Sequence, residues 1–192
     1  MTTKRRVARG WLRGCLIWAT CVIALLTATG ARAGDAPWVF GTELDIVPFL
    51  NDGYYLSAIV GKGRLRGRIV RTELTTPGFA TDDGFTDNDL EVWAGIVDIY
   101  FKDDFKGWWF GPGLERWTGE VTEEASGQRQ GYVTTILTLG GGYTWRFSKH
   151  FYLNPWAAVH FPIGGDRNVE FSSSTFSIDP TPEASVKLGF MF

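Results

Sequence analysis

Only two histidines occur in the chain, His150 and His160, and His160 is the residue best placed to act as a general acid or base. It sits in an alternating stretch that runs from Phe151 to Phe161, on the polar side together with Asn154 and Trp156. Glu115 or Glu91 from neighbouring stretches could orient it for proton transfer. A histidine held purely by structural hydrogen bonds explains the same pattern, so His160 is a possible site rather than an assigned catalytic residue. His150 reads as a solvated turn residue. Two imidazoles make too few ligands for a metal centre, and none is expected. No cofactor is expected either, because Gly140-Gly141-Gly142 falls inside a strand pattern and not in a phosphate-binding loop.

The second chemistry the sequence offers is electrostatic. Glu43, Asp45, Glu91 and Glu115 fall on the polar faces of alternating stretches, and so do Arg66, Arg68, Arg146 and Lys187. A charge buried alone costs several kcal/mol, so such groups persist only when paired and hydrogen-bonded. Four acids against four bases predict a charge-matched network filling an enclosed interior, with Trp93, Trp117, Asn154 and Trp156 taking up further space.

Those residues must be positioned by strands. Successive side chains in a strand face opposite sides, and period-two alternation recurs along most of the chain. Phe40, Thr42, Leu44 and Ile46 oppose Gly41, Glu43 and Asp45. Leu90, Val92, Ala94 and Ile96 oppose Asp89, Glu91, Trp93 and Gly95, a pattern that fails at Asp98. Phe110, Pro112 and Leu114 oppose Gly111, Gly113, Glu115 and Trp117, and the alternation of 131–147 puts Thr134, Thr138 and Arg146 on its polar face. In the last stretch Ala184, Val186, Leu188, Phe190 and Phe192 alternate with Ser185, Lys187, Gly189 and Met191. Splitting 54–72 at Gly61-Lys62-Gly63, a turn signal, gives eight strands: roughly 38–47, 54–60, 65–72, 89–101, 108–120, 131–147, 151–163 and 184–192. Connections near 61–64, 102–107 and 148–150 are then short and lie at one end. Those at 73–88, 121–130 and 164–183 are long and lie at the other. A rival count keeps 54–72 whole and makes 168–179 a strand, but it reverses this asymmetry.

Residues 1–33 are expected to be removed. Lys4, Arg5, Arg6, Arg9 and Arg13 precede an apolar run, Leu16–Leu26, that ends at Ala31-Arg32-Ala33, the three-part layout of a secretory signal. The remaining 34–192 carries 13 Lys+Arg against 21 Asp+Glu. A net charge of −8 excludes nucleic acid as a natural partner, which needs a basic face. Cys15 and Cys21 leave with the signal, removing disulfides, thiolate metal sites and a cysteine nucleophile from the mature chain.

The terminal alternation ending in Phe190 and Phe192 resembles that of small eight-stranded bacterial outer-membrane β-barrel proteins, whose last strand ends in a carboxy-terminal Phe. The resemblance implies an all-β, eight-stranded antiparallel up-and-down transmembrane β-barrel in the outer membrane, built from 34–192. It also implies that Phe190 and Phe192 form a signal read by the barrel assembly machinery, that outer-membrane lipid and lipopolysaccharide are the surroundings, and that the protein is a monomer. Two rival functions stand beside a structural or surface-interaction role. One is a lipid A-modifying enzyme of the small-barrel type. The deacylase of that type has a Ser two residues after its His, whereas Pro162 occupies that place here. The other is a barrel binding a small apolar ligand in its interior.

Overall fold

The computed structural model describes residues 36–192, so the expected signal segment 1–33 lies outside the described residues. The elements in chain order are β1 (Trp38–Asp45), α1 (Ile46–Leu50), β2 (Tyr54–Lys62), β3 (Leu65–Thr75), β4 (Phe85–Tyr100), β5 (Gly107–Glu123), β6 (Arg129–Arg146), β7 (Phe151–Gly165), β8 (Asn168–Glu170), β9 (Thr175–Ser177) and β10 (Thr181–Met191). Eight of the strands close into a barrel in the order β1-β10-β7-β6-β5-β4-β3-β2, with every neighbouring pair antiparallel. The eight-stranded antiparallel barrel expected from the alternation is therefore the fold. Lys62 pairs with Leu65 across a two-residue turn, and Gly63, at φ 62°, supplies the left-handed backbone such a tight hairpin demands. This turn, the 101–106 and 147–150 connections and both chain ends of the barrel share one rim, the turn end. The opposite rim, the loop end, carries α1 and the 76–84, 124–128 and 166–180 connections.

Beyond shifts at strand ends, such as Ile46 opening α1 in place of continuing β1 and the last strand starting at Thr181, two boundaries differ from those the sequence suggests. β3 through β6 run several residues further toward the loop end, because the ladder needs only backbone partners. The apolar alternation stops earlier, at the edge of the apolar belt. Past it, polar cross-strand pairs such as Thr75 and Asp89 keep the strands together, and the Thr75 hydroxyl donates to Asp89 Oδ1 at 2.7 Å. Within 164–183, β8 and β9 pair only with each other. This hairpin folds its apolar side inward, where Val169 and Phe176 pack with Ile178 against Phe85, Val121 and Tyr132. It closes the mouth at the loop end.

A third difference concerns β4. Val92, Ala94 and Ile96 are buried inside, packed with Tyr55 and Val70, while Trp93 is exposed on the outside. The expectation had these faces reversed, because it equated apolar with outward. Part of the interior is itself apolar, so hydrophobicity alone does not fix the facing of this strand. Asp98 settles it: the residue that broke the pattern is fully buried on the inner face.

On the outside, large apolar side chains stand exposed on all eight barrel strands, among them Phe40, Leu56, Ile69, Ile99, Phe110, Leu139, Phe161 and Val186. Trp38, Trp108, Tyr143, Trp145, Phe147, Phe151 and Phe192 gather toward the turn end and are likewise exposed. Among the described residues no helix is long and apolar enough to cross a membrane; any crossing would be made by the strands.

Candidate functional site in the barrel interior

Arg66 and Arg68 are two residues apart on β3 and so project from the same face into the interior. Each meets both Glu43 of β1 and Asp98 of β4. Arg66 donates from Nη1 to Glu43 Oε1 at 3.0 Å and from Nε to Asp98 Oδ2 at 2.7 Å. Arg68 donates from Nη1 to Glu43 Oε2 at 3.3 Å and from Nη2 to Asp98 Oδ1 at 2.8 Å. Its Nε also lies 2.7 Å from Asp98 Oδ2, as a charge contact without hydrogen-bond alignment. All four side chains are at most 1% exposed. Two cations and two anions thus form a closed square, the arrangement in which Coulomb attraction best repays desolvation.

Neutral groups complete the square. Glu43 Oε1 accepts from Tyr152 Oη at 2.8 Å and from Asn154 Nδ2 at 3.0 Å, and Asn154 Oδ1 accepts from Trp109 Nε1 at 2.9 Å. The Arg66 guanidinium lies 5.2 to 5.9 Å from the ring centres of Tyr100, Trp109 and Tyr152. Room for these rings comes from glycine. A Cβ on Gly189 would fall 1.9 Å from the Tyr152 ring, so that side of β10 must stay bare.

Toward the loop end a second group surrounds Asp45. Trp156 Nε1 donates to Asp45 Oδ2 at 3.1 Å and Ser185 Oγ to Oδ1 at 2.5 Å. Lys187 Nζ sits 3.9 Å from Asp45 and 3.5 Å from the Trp156 ring centre, an ammonium held by an aromatic face and a nearby charge. His160 belongs to a third group. Its Nε2 is 2.9 Å from Glu183 Oε2, and its Nδ1 is 3.0 Å from Thr138 Oγ1 and 3.5 Å from Glu115 Oε2. Glu115 accepts in turn from Thr138 Oγ1 at 2.6 Å and Trp117 Nε1 at 2.7 Å. Both imidazole nitrogens are engaged by oxygen, and the hydroxyl at hand belongs to a threonine bonded to a carboxylate. The arrangement fixes the orientation of the ring.

Of the residues expected in the interior network, the structure brings Glu43, Arg66 and Arg68 into one cluster. It places Asp45 with Lys187, and Glu115 with His160. Two expectations are corrected. Glu91 lies on the outer face of β4, 3.2 Å from Arg71 Nη1 and accepting from Trp93 Nε1 at 3.1 Å, a consequence of the reversed parity of that strand. Arg146 faces inward but lies at the turn end, beyond reach of the interior acids, and its Nη2 donates to Met191 Sδ at 2.7 Å. The residues missed were Asp98 and Glu183. The break in alternation at Asp98 was the signal for the first; the second lay in a segment read as loop. Phe190 and Phe192 are neighbours at the closing seam, their ring centres 5.1 Å apart. The Phe192 N–H donates to Phe40 C=O at 2.9 Å.

At the loop end, Glu123 accepts hydroxyl hydrogens from Ser126, Ser173 and Ser174. It is the last residue of β5, well past Leu114, where the apolar belt ends on that strand. The serine hydroxyls, Ser126 first, hold its carboxyl below the usual glutamate range. Among the described residues no group of three or more His, Cys, Asp or Glu side chains could hold a metal ion.

Taken together, these features define a closed eight-stranded barrel with an apolar exterior and an interior packed by its own ion pairs. Searches by sequence match no protein-family model and no curated protein. Among solved structures, the chain is similar to the crystal structure of Neisserial surface protein A (NspA), with 10% identity and a TM-score of 0.46 over 81% of this chain and 94% of that one. It is also similar to the N-terminal β-barrel domain of Pseudomonas aeruginosa OprF, with 11% identity and a TM-score of 0.45 over 81% of this chain and 96% of that one.

Proposed function

We propose that this chain is a bacterial outer-membrane β-barrel that does not conduct, and that it serves a structural or surface-interaction role through its loop end. The observation that carries the reading is the Arg66–Arg68–Glu43–Asp98 square, contributed by three strands and at most 1% exposed. Four charged side chains shut from solvent at this height argue against a continuous water path. Placement in a membrane is supported by the exposed apolar faces of the strands, because water would penalise them and hydrocarbon would not. The aromatic residues gathered at the turn end suit a bilayer interface, and the long connections at the other rim suit the outer surface. In this reading Phe190 and Phe192 are the signal for the barrel assembly machinery. Lipopolysaccharide meets the belt of outward charges that includes Arg71, Glu73, Glu91 and Arg129, and the protein works as a monomer.

The test is direct. The protein should fractionate with the outer membrane, shift its electrophoretic mobility when boiled, and give no channel events in planar bilayers. Alanine at both Arg66 and Arg68 should produce measurable conductance or unfold the barrel. Steady channel activity in the unaltered protein would refute the closed interior.

A further inference from the structure

The turn end carries positive charge that its own acids do not cancel. Lys62 and Arg64 stand at one turn, Lys102 and Lys106 at the next, and Lys149 across the rim. The acids of these turns, Asp103 and Asp104, are both taken. Arg64 Nε donates to Asp103 Oδ1 at 2.6 Å, and Lys106 Nζ lies 3.5 Å from Asp104. Among the described residues neither Lys62 nor Lys102 has an acid within ion-pair distance. The loop end has the opposite sign. Its 76–84, 124–128 and 166–180 connections carry Asp82, Asp83, Glu124, Asp166, Glu170 and Asp179 against Arg167.

Several contacts hold the 61–64 and 101–106 turns together. The Tyr100 N–H donates to Arg64 C=O at 2.8 Å, and the Arg64–Asp103 pair bridges the two turns. Phe105 folds inward, buried with Tyr100, Trp109 and Met191, and packs its ring over Gly61. Both turns are thereby pinned, while Lys102 and Lys106 stay exposed on either side of Phe105. Lys62 Nζ sits 5.7 Å from the Trp38 ring centre. Beside these cations the barrel wall is apolar. Leu65 and Ile99 share a cross-strand row with Lys62, and Ile69, Ile99 and Phe101 are exposed. Lysines level with an aromatic belt, next to a hydrocarbon-facing wall, stand where phospholipid head groups lie.

We propose that the paired turns form a docking surface for an anionic phospholipid of the periplasmic leaflet, with Lys62 and Lys102 holding its head and Ile69 and Ile99 against an acyl chain. The inference rests on the reading of the chain as a membrane barrel with its turn end in the periplasm. Arg64 and Lys106 are matched by their own acids, so the two lysines supply the charge that an incoming head meets. A zwitterionic head brings an ammonium of its own and gains little there, whereas a head of net negative charge gains from both lysines. Lipopolysaccharide belongs at the opposite rim. A free phosphate ester would miss the apolar wall, which only an acyl chain can cover.

The test is native mass spectrometry of the full protein released from nanodiscs containing equal amounts of phosphatidylethanolamine and phosphatidylglycerol. Phosphatidylglycerol should be retained in preference, by about fivefold for each of the two lysines, the attraction of one basic side chain near an anionic surface. Lys62→Gln and Lys102→Gln should each lower the preference about fivefold, and the double change should abolish it. Lys149→Gln, the same loss of charge across the rim, should leave it unchanged. Excess glycerol phosphate, offered as a free anion, should not displace the lipid. A protein that shows the heat-dependent mobility shift yet retains both lipids equally, or neither, overturns this proposal alone. So does a preference that survives the double change, that Lys149→Gln removes, or that glycerol phosphate displaces. Absence of the shift in the unaltered protein overturns the membrane reading and this site with it.

Discussion

Replacing Arg68 with leucine removes one of the two cations shared by Glu43 and Asp98. Arg68 reaches Asp98 at 2.8 Å and Glu43 at 3.3 Å, with every partner buried. The square then holds one cation against two anions, in a place water does not reach. Removing one partner of a buried pair costs about 3–5 kcal/mol, mostly from the charge left behind. Arg66 still touches both acids, which puts the expected loss near the lower end, about 3 kcal/mol. With a urea slope of roughly 1–3 kcal/mol/M, the unfolding midpoint in lipid vesicles should fall by about 1–3 M. Asp98→Asn in the Arg68→Leu background restores neutrality and should recover more than half of that loss. Arg146→Leu is the control: its guanidinium meets sulfur and no interior acid, so its effect should stay within about 1 kcal/mol. If Arg68→Leu proves as mild as Arg146→Leu, the square is not a buried ion network and the closed interior loses its main support.

Deleting Phe192, or replacing it with Ser, should leave export intact and strongly reduce folded protein in the outer membrane; normal amounts there would refute the assembly-signal reading. A cysteine at Ser173, an exposed residue of the loop-end hairpin, should react with a membrane-impermeant thiol reagent on intact cells. A cysteine at Lys62, beside the turn of the opposite rim, should react only after the outer membrane is opened, and the reverse pattern would invert the topology. The hairpin should also respond to acid. The carboxyl of Glu123 is held below its usual value, so its contribution is fully present above the ordinary glutamate pKa of about 4.3. It is lost as pH falls through the lower folded value. Protection against hydrogen exchange across 166–180, taken relative to the intrinsic rate at each pH, should therefore fall below about pH 4, and Glu123→Gln should remove that dependence.

Alternation determined most of this fold, because each residue of a strand has only two directions to point and a buried face tolerates few unpaired polar groups. Glu43, Asp45, Arg66, Arg68 and Lys187 could be placed inside from the sequence for that reason, and the Gly63 turn could be placed between two strands. The strand count followed from those turns. Facing was legible only where one side of a strand was polar. In β4 both sides carry apolar residues, and Glu91 and Asp98 exchange roles because the interior there is part hydrocarbon, part ion pair. Which acid meets which base is a matter of register around the ring, and register depends on strands distant in sequence: Glu43 and Tyr152 are 109 residues apart. Arg146 shows the same limit, since its inward direction was readable but its height in the barrel was not. The early end of the β1 ladder belongs wholly to the tertiary structure. It arises where a short first strand closes against a longer last one, a mismatch that no single segment of sequence contains.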